Sequence, residues 1–229
     1  KSCIALLFLA GGFLFCAQPA TAQLADSLRR VLQSAPEDTQ RVTVLTDLAW
    51  EINESETDEA ETLLREAISL SQKLKHLRGE ASAWNGLGVV EEIRGNFDRA
   101  QQHYQKALDL RRKLGDQQEI GASLNNLGVL FEMIGRFDRA LQFHRENLDI
   151  QIKLADTVRI ARAQFNIAGA YQEMGLYNEA QEYLDDARCI LEMRKDLDGM
   201  AKVYAQLGHI RFELDRYESE EFERIVNSL

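Results

Sequence analysis

Proline is nearly missing from this chain. The 229 residues hold only Pro19 and Pro36, so no proline interrupts a helix anywhere after residue 36. Cysteine is scarce as well: Cys3, Cys16 and Cys189. The first two flank an apolar N-terminal run. A chain cut behind that run keeps Cys189 alone, which excludes a disulfide framework and leaves apolar burial to hold the fold. Basic charge is in deficit, 27 Lys and Arg against 37 Asp and Glu, for a net charge of −10. That balance speaks against nucleic acid, which wants a basic stripe, and against an anionic membrane surface. It suits solubility. Histidine occurs four times, at His76, His103, His144 and His209, with no H-E-x-x-H spacing and no Cys/His pair. No metal and no cofactor are therefore expected. Ser/Gly-rich linkers and low-complexity tracts are absent too.

What the chain does have begins at the N-terminus. Lys1 precedes an apolar run over residues 3–16, then Ala17-Gln18-Pro19-Ala20-Thr21-Ala22. A charged start, a short apolar core and an A-x-A site ending at Ala22 read as a secretory signal peptide over residues 1–22. The run is short of the roughly 20 residues that span a bilayer. An uncut N-terminal anchor is the alternative. A lipid-modified Cys16 fits less well, because bulky Phe15 precedes it. Residues 23–37 follow as a leading helix, with Leu24, Leu28, Val31 and Leu32 on one expected face. Pro36 ends it. In the column of Ser69, Asp109 and Asp149, Cys189 is expected at the surface, an incidental thiol or one that pairs between chains.

From residue 38 the chain repeats itself. Gly88, Gly128 and Gly208 stand 40 or 80 residues apart, with Gly169 one place late; Gly95, Gly135 and Gly175 form a second column, and Ala100, Ala140 and Ala180 a third. A fixed period means one supersecondary unit copied and stacked. In the third copy Leu124, Leu127, Phe131 and Ile134 share a helix face. Gly135-Arg136 turns the chain, and Phe137 opens a second helix carrying Ala140, Phe143, Asn147 and Ile150. Small Ala140 lets the two helices approach closely, and Lys153-Leu154-Ala155-Asp156 turns into the next copy. The first copy is divergent: it lacks one residue and has Thr57 in place of the aromatic. The fifth opens with Tyr204 and Leu207-Gly208, reaches Tyr217, carries Glu220 in the alanine column, and is expected to stop inside its second helix.

These residues resemble the tetratricopeptide repeat family over residues 38–229. The matched pattern is an aromatic or Leu, then L-G, then G-x-[FY]-x-x-A, then [AN]-[LI]. The usual period is 34 residues; the six extra residues here add about 9 Å of helix per repeat. The resemblance implies an all-α, right-handed superhelical solenoid of about five helical hairpins, which works by its surface and not by a catalytic pocket.

The resemblance also places the residue before each L-G pair in the concave groove, namely Gly86, Asn126, Asn166 and Gln206. An amide both donates and accepts, so it can grip an extended peptide backbone. Four residues earlier stand Ser82, Ala122, Arg162 and Lys202, which pairs Arg162 with Asn166 and Lys202 with Gln206 at i, i+4. Val129, Glu132, Met133, Gln172, His209 and Phe212 lie further along the same face. The set resembles in part the carboxylate clamp of some tetratricopeptide domains. It departs from it at Ser82 and Gly86, which replace a Lys and an Asn, and at Gln206, which is not basic. The other readings are a generic polar groove for a protein or peptide segment, and amides that merely satisfy neighbouring helices.

Catalysis is not expected. Gly86-Leu87-Gly88 superficially resembles a phosphate loop but lies mid-helix and lacks both a third glycine and a Lys-Ser/Thr. Glu91-Glu92 and Asp185-Asp186 read as solvated faces, and His103 and His144 as helix-packing residues. The combination of signal peptide, leading helix and 40-residue repeats resembles the periplasmic sensor half of bacterial signalling proteins. That resemblance implies a periplasmic location and a membrane-anchored output domain beyond residue 229. A freestanding periplasmic scaffold or chaperone-like adaptor is the alternative.

Overall fold

Each helix break falls where the sequence supplies a stop. The structure is a computed structural model that describes residues 20–228, with side chains for residues 23–216. Residues 1–19, most of the expected signal peptide, lie outside the described residues. The helices are α1 (Ala20–Ser34), α2 (Thr39–Ile52), α3 (Thr57–Leu74), α4 (Leu77–Ile93), α5 (Phe97–Leu114), α6 (Gln117–Met133), α7 (Phe137–Leu154), α8 (Thr157–Glu173), α9 (Tyr177–Arg194) and α10 (Leu197–Ser228). Among the described residues no strand occurs.

Inside the hairpins α4/α5, α6/α7 and α8/α9 the turn is a glycine in the left-handed region. Gly135 sits at φ 71°, and the N–H of Arg136 reaches back to the carbonyl of Phe131 at 2.8 Å. The bond satisfies a carbonyl the helix end would leave bare. Between hairpins the left-handed residue is Lys75, Gly115, Ala155 or Lys195. Only Gly115 takes that conformation without strain, having no Cβ to crowd. Aspartates then open the next helix: Asp116, Asp156 and Asp196 accept from the backbone N–H of Glu119, Arg159 and Gly199.

Two expectations are corrected. The fifth unit has no hairpin turn. Asp215 occupies the column of Gly95, Gly135 and Gly175, and α10 continues through it to Ser228. Without a glycine the left-handed stop is disfavoured, so the helix runs on. The side chains of residues 217–228 lie outside the described ones. The inward face of α1 also differs: Ala25 is buried, and Leu28 and Leu32 pack on the core beside it. Leu24 and Val31 stay exposed.

The hairpins α2/α3, α4/α5, α6/α7 and α8/α9 stack in chain order, with α1 on α2 and α10 on α9. Even-numbered helices also touch each other, α2 with α4 and α6 with α8. They therefore form the inner layer, and the odd helices α3, α5, α7 and α9 the outer one. Small residues set the spacing between layers. Ala60, Ala100, Ala140 and Ala180 are fully buried. A Cβ on Gly88 would stand 2.4 Å from the Tyr104 ring, and one on Gly128 2.3 Å from the His144 ring. At the equivalent place in the next hairpin buried Leu184 accompanies Ala168 in one core cluster. Ring pairs close three of the hairpins: Trp84 on His103, Phe131 on Phe143 and Tyr171 on Tyr183, with centroids 5.2, 5.4 and 5.7 Å apart. His103 and His144 are thus helix-packing residues.

Carboxylates complete this interior. The Tyr104 hydroxyl donates to Glu92 at 2.8 Å. One hairpin later Glu132 lies 3.2 Å from Nε2 of fully buried His144. Glu91 is not on a solvated face: it is 2% exposed and accepts from the Asn96 side chain at 2.7 Å. This bond to the charged carboxylate replaces water it lost.

Three expected outcomes follow from this packing. Gly128→Ala drives a methyl into a ring with nowhere to move and costs about 1–3 kcal/mol, whereas exposed Ala155→Gly relieves a left-handed Cβ and stabilises by about 1 kcal/mol; denaturant melts of both variants check the pair, and equal signs refute it. Burial pushes the His103 imidazole down, against the opposing charge of Glu91. The unfolded chain then binds a proton that the folded chain resists as pH falls below about 6.5. His103's contribution is whole above that pH and is lost below it. Between pH 7.5 and pH 5 the melting temperature of the parent should drop further than that of His103→Phe; parallel curves would refute the effect.

Candidate functional site

The inner layer turns one stripe of each even helix away from the core. Amides dominate its middle. The Asn126 side chain donates to Oδ1 of Asn85 at 2.9 Å, and Asn166 donates to Oδ1 of Asn125 at 2.9 Å. Two rungs thus tie α4 to α6 and α6 to α8. Each side chain is only partly buried, and one bond leaves each amide further donor and acceptor capacity. Asn126 and Asn166 are therefore spent between helices in part, and remain open to the groove in part.

Arg162 is exposed and forms no ion pair among the described residues. It borders two cavities. One, of about 220 Å³, is polar, with Asn125, Asn126, Asn147, Gln151 and Arg159 around it. Behind it Gln151 donates to Oδ1 of Asn147 at 2.9 Å, while its own Oε1 is buried without a partner. The other, of about 180 Å³, has Phe165, Lys202 and Val203 in its lining. The Lys202 ammonium is shared with Asp198 at 2.9 Å, and Gln206 has a buried Oε1 with no partner. His209 meets the Gln172 amide at 3.3 Å. Met133 is exposed and Val129 half-buried on the same side. Glu132 turns its carboxylate into the hairpin toward His144.

The arrangement gathers Asn126, Asn166 and Arg162 in one region and sets Lys202, Gln206 and His209 on the adjoining α10. Gly86 is buried, and a Cβ there would meet Leu64 at 2.6 Å. Sequence reasoning missed Asn85 and Asn125, although they stand 40 residues apart, and it missed Gln151 and Arg159. It also missed Trp50, which is 55% exposed and borders a further cavity of about 370 Å³ between α2 and α4. Among the described residues no group of three or more His, Cys, Asp or Glu is placed to hold a metal ion. Paired amides beside an unpaired guanidinium suit the backbone and side chains of a polypeptide.

Comparison with known proteins bears on this geometry. Two family models described as tetratricopeptide repeat match residues 79–153 and residues 161–187. No sequence among curated proteins matches the chain. Among solved structures the chain is similar to BtubC (BKLC) from P. vanneervenii, at 22% identity and TM-score 0.75, over 92% of each chain. It is similar to a Signal Transduction ATPase with Numerous Domains from Pyrococcus horikoshii that has a tetratricopeptide repeat sensor, at 19% identity and TM-score 0.76, over 91% of this chain and 33% of that one. It is also similar to a Rap protein complexed with competence and sporulation factor, at 15% identity and TM-score 0.57, over 86% of this chain and 59% of that one. Identities this low speak to the fold alone. The matched segments, the 40-residue stacking period and the shared solenoid together show that the chain carries tetratricopeptide repeats, whose stacked hairpins form a protein-binding module.

Proposed function

We propose that this chain is the binding part of an exported bacterial protein, whose inner groove holds an extended peptide or protein segment, and that it serves as the sensory or scaffold half of a signalling protein. The observation that carries the groove reading is the amide ladder Asn85–Asn126 and Asn125–Asn166 beside unpaired Arg162. Backbone amides of an extended strand repeat every 3.3 Å or so. Side-chain amides one inner-helix step apart, about 8–10 Å, meet about every third residue of such a strand without demanding one sequence, and Arg162 adds preference for an acidic group. The sensor described for the Pyrococcus horikoshii relative and the complex of the Rap protein support this use of the fold by analogy. The N-terminal run over residues 3–16 and the A-x-A site support export. Among the described residues no helix is long and apolar enough to cross a membrane.

Arg162→Ala is the clean test of the groove. The side chain is exposed and unpaired, so melting should be unchanged while retention of acidic 12-residue peptides on an array falls about tenfold. Asn166→Ala removes a rung as well and should cost about 1 kcal/mol besides. Retention that survives both changes refutes the groove. Export is read from residues 1–22 fused to alkaline phosphatase, which needs an oxidising compartment for its disulfides; an inactive fusion refutes it. Sequencing the frame beyond Leu229 tests the signalling half: an apolar span followed by a new domain supports it, and an immediate stop codon argues for a freestanding scaffold.

A further inference from the structure

The cavity between α2 and α4 differs in kind from the amide-lined middle of the groove. It holds about 370 Å³, within the size range of small-ligand sites. Two glycines of α4, Gly79 and Gly86, stand in its lining, and the second occupies the column that carries Asn126 and Asn166 in the following repeats. The missing side chains open the space. On the α2 side stand Asp47 and Trp50, one helical turn apart on one face, both exposed.

The charges around the cavity are unequal in their availability. Arg111 is buried, donates to Ser123 at 2.6 Å and pairs with Glu119 at 2.7 Å. Arg78 is held by Asp116 at 2.9 Å. Asp47 has no hydrogen bond or ion pair among the described residues. With Asp116 included, three carboxylates face two guanidiniums, and the uncompensated charge is the Asp47 carboxylate beside the Trp50 indole. The hydroxyls of Thr43 and Thr46 also line the space. Their protons are given to the carbonyls of Thr39 and Thr43, at 3.2 and 2.8 Å, so toward the cavity they offer lone pairs only. An aromatic face, a free carboxylate and hydroxyl acceptors together call for a flat cation rich in N–H donors.

We propose that the Trp50–Asp47 cavity takes the guanidinium of an arginine side chain on the bound polypeptide. The plane of the guanidinium lies on the indole and its N–H groups fork onto Asp47. This rests on the reading of the groove as a polypeptide site and adds to it a second, opposite-sign anchor. Arg162 on α8 selects an acidic residue and Asp47 on α2 a basic one. The two helices are three inner-layer steps apart, about 8–10 Å each. An extended segment covers that span in about eight or nine residues, so the partner carries arginine and an acidic residue at about that separation.

The chain has two tryptophans, and Trp84→Phe leaves Trp50 as the only indole emitter. In that variant the blocked tripeptide Gly-Arg-Gly should shift the emission saturably, with the effect weakening as salt is raised. The same tripeptide with citrulline, equal in shape and uncharged, should not. Asp47→Asn should weaken arginine binding about tenfold with an unchanged melting temperature, since Asp47 holds no other group. Equal binding of citrulline, a preference for Gly-Glu-Gly, or an unaffected Asp47→Asn variant each overturns the proposal. So does guanidinium chloride binding as well as the tripeptide, which makes the cavity a site for free small cations. A peptide array separates the two readings: 12-residue peptides retained without regard to arginine keep the groove and sink this pocket. If no 12-residue peptide of any sequence is retained, the groove fails and the tripeptide titration still decides the cavity.

Discussion

The structure depends on how closely the two helices of each hairpin approach. A ring or branched side chain from the outer helix is pressed onto the backbone of the inner one at Tyr104 on Gly88 and His144 on Gly128. No Cβ fits between them, so the distance is set by a glycine and not by an average of side-chain sizes. Ala100, Ala140 and Ala180 do the same from the outer helix. With both contacts made, the rotation of the inner helix about its own axis has no freedom left. The residues opposite the glycine column must then face the groove.

That fixed rotation explains why the amides meet. Asn126 and Asn166 reach the helix before them because each inner helix is presented at the same angle as its neighbour. The interior pairs vary in chemistry while keeping this geometry. Glu92 accepts from Tyr104, and Glu132 takes the same place beside His144. The Tyr104 hydroxyl replaces hydration that Glu92 has lost, whereas Glu132 Oε1 and His144 Nε2 approach each other without forming a hydrogen bond.

Most of the fold was legible in the sequence because its determinants recur. Gly95, Gly135 and Gly175 marked the turns, and Lys153-Leu154-Ala155-Asp156 the passage into the next copy. The failures are equally local. At α10 the pattern of apolar residues continued while the glycine that ends the inner helix of the three preceding hairpins did not; Asp215 stands in its place. In α1 the pattern Leu24, Leu28, Val31 and Leu32 was a fair helical face. The packing instead chose Ala25, Leu28 and Leu32, rotating the helix by about one residue, because a small residue lets α1 lie closer on α2. Glu91 was read as solvated because its sequence neighbour Glu92 is acidic too. Helical geometry puts adjacent residues about 100° apart, so one of them points inward.

Of the candidate site, the part that follows the repeat was visible and the part that departs from it was not. Columns of Asn and Gly show what every repeat must do, namely pack and stack, and they say little about which partner one repeat prefers. Selectivity in a solenoid has to come from residues that break the columns, since identical repeats offer identical surfaces. Trp50 stands in the divergent first repeat, and Gly86 is the one glycine in a column that elsewhere carries amides. Each looked like a loss of pattern when read along the chain. Brought together across α2 and α4, they are a cavity with an aromatic wall and a free carboxylate.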